Sequence, residues 1–174
     1  MDRFITALAR LTAMAGGLVL TGLIVMVCVS ISGRAMSGLG LGPVPGDFEL
    51  LEAGIAFAIF AFLPWCSASG GHATVDIFTN GLPLRENRWL LALWDVVMAL
   101  AVALIAWRLY HGMSDKLRYG ETTLLLQFPI WWAYAACLVP AGVMVLVSFW
   151  SAFDRIRAVA TGHDTRPVKA EIQH

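Results

Sequence analysis

Four long stretches of apolar residues, separated by short polar segments, fill most of the chain. The first, residues 11–33, contains no charged residue. As a helix it would be about 34 Å long, enough to cross about 30 Å of hydrocarbon. The other three cover approximately residues 48–69, 88–110 and 127–153. Helices of water-soluble proteins keep one polar face, which this pattern lacks. It therefore predicts an all-α integral membrane protein with four transmembrane helices.

The same pattern predicts the domain organisation. Residues 1–153 are expected to form one four-helix transmembrane domain, and the polar residues 154–174 a tail. The first apolar stretch is longer than a signal-peptide core and has no convincing cleavage site after it, so we expect it to remain as a helix. Pro129 is predicted to mark the start of the fourth helix and Pro140 to kink it, which packed neighbours tolerate in a membrane.

Composition and charge refine this interpretation. Apolar residues make up 59% of the 174 positions and charged residues 14%, while 12 basic and 12 acidic residues cancel. The balance gives no reason to expect a nucleic-acid partner. With four spans, both termini lie on one side, which carries eight of the Lys and Arg residues against four on the other. Because basic residues favour the cytoplasmic side, we expect the N and C termini in the cytoplasm.

Three charged residues lie at the predicted outer border of the membrane. Arg34 ends the first span, and Glu49 and Glu52 begin the second. The two glutamates are three residues apart and so share a helix face. One interpretation is a structural clamp between Arg34 and the glutamates at a helix N-terminus, where carboxylates are favoured. The other is a docking surface for a partner outside the cytoplasm.

Asp95 is the ionisable residue predicted to lie deepest in a span. Arg88, two turns earlier, could reach it to form an ion pair, and Ala99 and Ala103 follow Asp95 at steps of four. This face of small residues suits close packing against another helix. A proton or ion relay through Asp95 is the alternative.

A second row of small residues lies in the first apolar stretch and suits packing within the chain or with another subunit: Ala13, Gly17 and Thr21. After the second stretch come Gly71, His72 and Asp76, a motif at the inner border. His72 and Asp76 could bind a metal, but two ligands without a third favour a capping and interface role. No pair of histidines lies within the spans to hold a haem. The sequence therefore predicts no catalytic, cofactor-binding or metal site.

An ordered set of motifs runs through the chain. It consists of Arg34, then Pro45-Gly46-x-x-Glu49 with Glu52, then Gly71-His72-x-x-Val75-Asp76, and finally Thr122-Thr123 with Pro129-Ile130-Trp131-Trp132-Ala133-Tyr134. Spread over four spans, this set resembles the small membrane subunit of the TRAP (tripartite ATP-independent periplasmic) transporters, the DctQ-like family. The resemblance covers nearly all of residues 11–153. The chain departs from the family in a longer turn before Glu49, in which six of the nine residues 38–46 are Gly or Pro.

The resemblance implies a non-enzymatic scaffold subunit in the bacterial inner membrane. The implied partners are a large TRAP membrane subunit, a periplasmic solute-binding protein that delivers a small carboxylate or sulfonate, and membrane lipids. Coupling sodium ions are expected in the large subunit, and no cofactor is expected in this chain. The residues are compatible with this role, because the spans show neither a discontinuous helix pair nor an ion cage at the midplane.

Two other classes of function stay open from the sequence. One is a membrane anchor for a redox or other enzyme complex, for which the missing pair of histidines is unfavourable. The other is a self-sufficient small transporter that works as a homodimer. Such a transporter would need an essential carboxylate within the bundle, and Asp95 is the candidate.

Overall fold

The computed structural model describes residues 2–69 and 84–161, with side chains for residues 4–38, 40–69 and 92–157. This part of the chain contains four α-helices: α1 (Asp2–Ala35), α2 (Asp47–Ala68), α3 (Leu84–Tyr119) and α4 (Ile130–Thr161). A short 3-10 turn covers Ser37–Leu39. All four α-helices are long and apolar enough to cross a membrane, which confirms the predicted all-α fold with four spanning helices. The predicted side on which the termini lie stays a prediction.

The helix boundaries follow local signals in the sequence. Gly46 adopts the left-handed conformation immediately before α2, and Asp47 and Glu49 lie in the first turn of that helix, where carboxylates interact favourably with the helix dipole. The fourth helix begins at Ile130, directly after Pro129, the residue predicted to mark its start. Residues 127–129 belong to the preceding loop, because a residue before proline is disfavoured in the helical conformation and Gln127 has a φ of 53°.

The helices differ in how far they reach beyond the hydrocarbon. At 1.5 Å per residue, the 22 residues of α2 extend about 33 Å, close to one span. The 34 residues of α1 and the 36 of α3 extend about 51 and 54 Å, so both continue beyond it. The α1–α2 turn (residues 36–46) and the α3–α4 loop (residues 120–129) lie at the same end of the molecule, which we call the loop end. The opposite end, where α1 begins and α4 ends, is the terminal end.

The fourth helix is the centre of the fold. It packs against both α2 and α3, and Val143 and Val147 in the middle of α4 pack with Ala9 of α1. In its most apolar segment of 18 residues, 33% of the residues are buried, against 11% in the corresponding segment of α3. Within the described residues, the backbone of α3 approaches neither α1 nor α2. The helices therefore form a row in the order α1–α2–α4–α3.

A row of buried positions spaced seven residues apart joins α1 to its neighbours: Ala9, Gly16, Leu23 and Ser30. A seven-residue repeat is typical of left-handed helix packing. At the closest approach, a Cβ atom at Gly16 would lie 2.8 Å from the Cβ of Ala61 in α2. Only glycine lets the two backbones approach this closely.

The small residues predicted to pack on α1 lie beside this seam. Ala13 is half-buried, Thr21 is exposed, and no atom lies within 4 Å of the position that a Cβ of Gly17 would take. Gly17 therefore takes no part in the α1–α2 contact, and packing of this row against another subunit stays a prediction. On α3, Ala99 is buried and Ala103 half-buried.

Glycines 16 and 17 provide a matched test of the seam. We expect Gly16→Ala to lower the thermal unfolding midpoint in detergent, because the added methyl overpacks the contact with Ala61 at a cost of about 1–3 kcal/mol. Gly17→Ala should leave the midpoint unchanged or raise it slightly, because alanine is the better helix former. Equal midpoints for the two variants would contradict the proposed seam.

Candidate functional site: polar joints at the helix ends

At the loop end, a polar joint connects α1 to the start of α2. The hydroxyl of Ser30 donates a hydrogen bond of 2.5 Å to Oδ2 of Asp47, and it accepts one of 3.3 Å from the backbone N–H of Val44. Arg34 lies on the same carboxylate, with Nη2 at 3.7 Å from Oδ2. The Ser30 side chain is buried and Arg34 is largely exposed. The hydroxyl is therefore the better-shielded partner of Asp47.

This joint corrects part of the sequence interpretation. The clamp was expected between Arg34 and Glu49 or Glu52, but the acceptor is Asp47. The reason is geometric. Asp47 opens the first turn of α2 and lies directly above the end of α1, whereas Glu49 is turned toward a different part of the molecule.

Glu49 binds the α3–α4 loop. Its two carboxylate oxygens accept hydrogen bonds from the backbone N–H groups of Leu125, at 2.7 Å, and Leu126, at 3.0 Å. The side chain of Leu126 covers Gly46, which has a φ of 73° and no room for a Cβ. One carboxylate and one leucine thus attach a loop from the far end of the sequence to the start of α2.

The α3–α4 loop is held in shape by its own bonds. Lys116 Nζ lies 2.5 Å from Oε2 of Glu121, which fixes the loop to the last turn of α3. Thr123 and Phe128 bond twice: the Thr123 N–H donates to the Phe128 carbonyl at 2.9 Å, and the Phe128 N–H donates to Thr123 Oγ1 at 3.1 Å. The amide groups that Glu49 binds therefore belong to a closed, ordered loop.

Glu52 has a different environment from Glu49, although one helical face carries both. Its side chain is exposed and makes no hydrogen bond or ion pair with any described residue. It lines a cavity of about 460 Å³ between α2, α3 and α4, in which Lys116 is the cation on the opposite wall. Glu49 is a structural joint here, and Glu52 is available to a ligand or partner.

The terminal end has its own ion pair. Oδ2 of Asp95 in α3 lies 2.7 Å from Nε of Arg155 in α4, and both side chains are largely shielded, at 26% and 31% exposure. The cation expected at Asp95 was Arg88. The side chain of Arg88 lies outside the described residues, so that pair stays a prediction, and Arg155 is the partner of Asp95 that the described residues show. Asp95 therefore joins the first half of α3 to the last two turns of α4.

The inner-border motif, Gly71, His72 and Asp76, lies outside the described residues, and its predicted role stays a prediction. In the part of the chain that the structure describes, no three His, Cys, Asp or Glu residues come together as a metal site would require. His111 bonds through Nδ1 to the carbonyl oxygen of Trp107 at 3.0 Å.

Five polar residues of the joints were not among the sequence candidates: Ser30, Asp47, Lys116, Glu121 and Arg155. Asp47 carries a usable signal, because an acidic residue directly after Gly46 is typical of a helix start. Arg155 could have been considered because α3 begins and α4 ends on the same side. Ser30 has no distinguishing signal, because serine is common in membrane helices as a packing residue.

Residues 23–158 match the family of tripartite ATP-independent periplasmic transporters, DctQ component. The match covers most of the chain and all four helices at least in part, so the chain belongs to this family, the small membrane component of TRAP transporters. No curated protein and no solved structure gives a significant match. The family resemblance inferred from the motifs is thereby confirmed.

The two glutamates allow a matched test of the loop joint. In Glu49→Ala, we expect the amide hydrogens of Leu125 and Leu126 to exchange with solvent severalfold faster, because they lose their acceptor. Glu52→Ala should leave both exchange rates unchanged. Hydrogen–deuterium exchange with mass spectrometry of peptides from the α3–α4 loop measures both, and faster exchange in both variants would show that Glu49 is not the specific acceptor.

The ion pair at the terminal end can be tested by exchanging its charges. Asp95→Arg and Arg155→Asp should each lower the thermal unfolding midpoint, because each places two like charges together in a shielded site. The double variant should recover much of the loss, with a coupling of about 1 kcal/mol. Strictly additive losses would mean that the contact contributes nothing to stability.

Proposed function

We propose that this chain is the small, non-catalytic scaffold subunit of a sodium-coupled TRAP transporter. Its work is to anchor and support the large membrane subunit, which moves a small carboxylate or sulfonate delivered by a periplasmic binding protein. The sodium ions and the solute bind to the large subunit. The chain resides in the bacterial inner membrane with both termini in the cytoplasm, so the loop end faces the periplasm.

The main support for the scaffold role is the set of polar contacts that join neighbouring helices at both ends of the molecule. At the loop end, Asp47 connects α2 to α1, and Glu49 connects α2 to the α3–α4 loop. At the terminal end, Asp95 connects α3 to α4. Each described helix is also continuous across its apolar window. Transport sites in membranes are typically built from interrupted helices whose exposed ends face the substrate, and this arrangement differs from them.

The family supplies the second support. TRAP systems are tripartite, and the chain belongs to their DctQ component. A subunit whose helices are braced at both ends suits the part of a transporter against which another part moves. The solute class and the sodium coupling are properties we assign to the assembled system.

Co-purification and uptake together test this proposal. The tagged chain, extracted from its native membrane in gentle detergent, should bring a large polytopic membrane protein with it in near-stoichiometric amount. Deleting the chain while keeping that partner and the binding protein should abolish sodium-dependent uptake of the organic acid, and the wild-type chain should restore it. A chain that purifies alone as a homodimer would contradict the scaffold role.

Asp95 separates the scaffold from a self-sufficient transporter. In a scaffold, exchanging Asp95 and Arg155 keeps the joint, so the double variant should support uptake nearly as well as the wild type. In a homodimeric transporter with Asp95 as its proton or ion carrier, the same double variant should be inactive. The measurement is uptake per assembled complex, for the double variant and for Asp95→Asn. It distinguishes a scaffold from a self-sufficient transporter.

A further inference from the structure

A groove runs down one face of the helix row. Its walls are α2 and α3, whose backbones do not meet, and its floor is α4. The α3–α4 loop closes it at the loop end, where Thr123 and Phe128 form its rim. Its volume is about 460 Å³, and no described element covers the side opposite α4.

The groove has the depth of one leaflet of a bilayer. On the α2 wall it extends from Glu49 to Phe60, eleven residues along the helix, or about 16 Å at 1.5 Å per residue. Half of a hydrocarbon core about 30 Å thick is about 15 Å. Phe60 also lines a second, smaller and wholly apolar depression with Val102 and Met144, so the apolar surface continues toward the middle of the membrane.

Along the groove, charged residues come first at the loop end and apolar residues follow, in the same order as the head group and the acyl chains of a phospholipid. The upper part is charged, with Glu49 and Glu52 on the α2 wall and Lys116 on the α3 wall. The lower part is apolar and is lined by Phe60, Leu109 and Cys137. A head group at the top and an acyl chain below would match this sequence of surfaces.

The charges identify the kind of head group. The ammonium of Lys116 uses one of its three N–H donors on Glu121, which leaves donors for a phosphate. Both carboxylate oxygens of Glu49 are occupied by loop amides, but Glu52 makes no bond with a described residue. One wall therefore offers donors to an anion, and the other offers a carboxylate to a cation.

We propose that this groove binds one phosphatidylethanolamine molecule from the leaflet at the loop end, with its phosphate on Lys116, its ammonium on Glu52 and an acyl chain along Phe60 and Leu109. The proposal is independent of the scaffold function, since it concerns only this chain and the bilayer. A lipid bound there would also cover the open side of the helix row and would provide partners for the charges of Lys116 and Glu52.

Native mass spectrometry of the full chain tests the site. After delipidation and titration with palmitoyl-oleoyl phosphatidylethanolamine, the wild type should retain one molecule per chain, in preference to the phosphatidylglycerol of the same acyl composition. Glu52→Gln should reduce this preference roughly tenfold, because it removes one charge-assisted contact. Its thermal unfolding midpoint should stay that of the wild type, because Glu52 holds no other described residue.

A pair of alanines on α4 provides the matched control. Ala133 lines the groove, whereas Ala136 is exposed on the same helix and outside it. Ala133→Phe fills part of the groove and should reduce retention of the lipid roughly tenfold, while Ala136→Phe should bind as the wild type does.

Three results would overturn the proposal. The first is equal binding of phosphatidylethanolamine and phosphatidylglycerol to the wild type. The second is equal retention by the Ala133→Phe and Ala136→Phe variants. The third is loss of the bound lipid when the chain is purified together with a large membrane partner, which would show that the partner, and not a lipid, occupies the groove.

Discussion

The link that Glu49 makes to the α3–α4 loop connects two helices of the row whose described residues do not pack against each other, α2 and α3. Water drives apolar helix faces together, but lipid does not, because lipid tails are as apolar as leucine. Helices in a bilayer are therefore held by close backbone packing and by polar contacts. In this chain α2 does not approach α3, and α4 lies against both. The carboxylate of Glu49, together with Leu126 over Gly46, is the contact by which α2 also holds the loop that joins α3 to α4.

The sequence predicts the elements well because each depends on local information. Twenty or so apolar residues must form a helix to satisfy their backbone groups in lipid, so the four helices follow directly. Pro129 gives the start of α4 for an equally local reason. The partners of charged residues depend instead on how helices rotate against each other. Arg34 was assigned to the glutamates because they were the expected acids of the helix start, yet Asp47 is closer to the end of α1.

The dependence of contacts on helix rotation also explains which features of α1 and α3 the sequence does not reveal. Two rows of positions run side by side on α1, one through Gly16 and one through Gly17, and hydrophobicity does not distinguish these two glycines. Only the position of Ala61 on the neighbouring helix shows which of the two is required. Asp95 contacts Arg155, which is 60 residues away along the chain and which no local pattern connects to it. Backbone N–H groups of a loop, such as those that bind Glu49, cannot be read from side-chain patterns at all.

Glu49 and Glu52 show how one helical face can serve two purposes. They are separated by about 4.5 Å along the axis, three residues at 1.5 Å each. Glu49 lies at the level of the α3–α4 loop, and both of its carboxylate oxygens accept hydrogen bonds from backbone N–H groups of that loop. Glu52 lies almost one turn further along α2, lines the groove, and makes no bond with the described residues of the loop. The loop thus separates a carboxylate that holds the fold from one that faces the space below.

The position of the joints at the helix ends has a mechanical consequence. The apolar middle of a membrane helix can shift at low cost, because lipid replaces the contacts that are lost. A helix of about 33–54 Å that pivots about its middle moves most at its ends, and resistance there opposes tilting most effectively. Asp47, Glu49 and Glu121 act at the loop end, and Asp95 acts at the terminal end. The polar contacts therefore lie where they stiffen the row of helices most, which is the property that a fixed support for a moving neighbour requires.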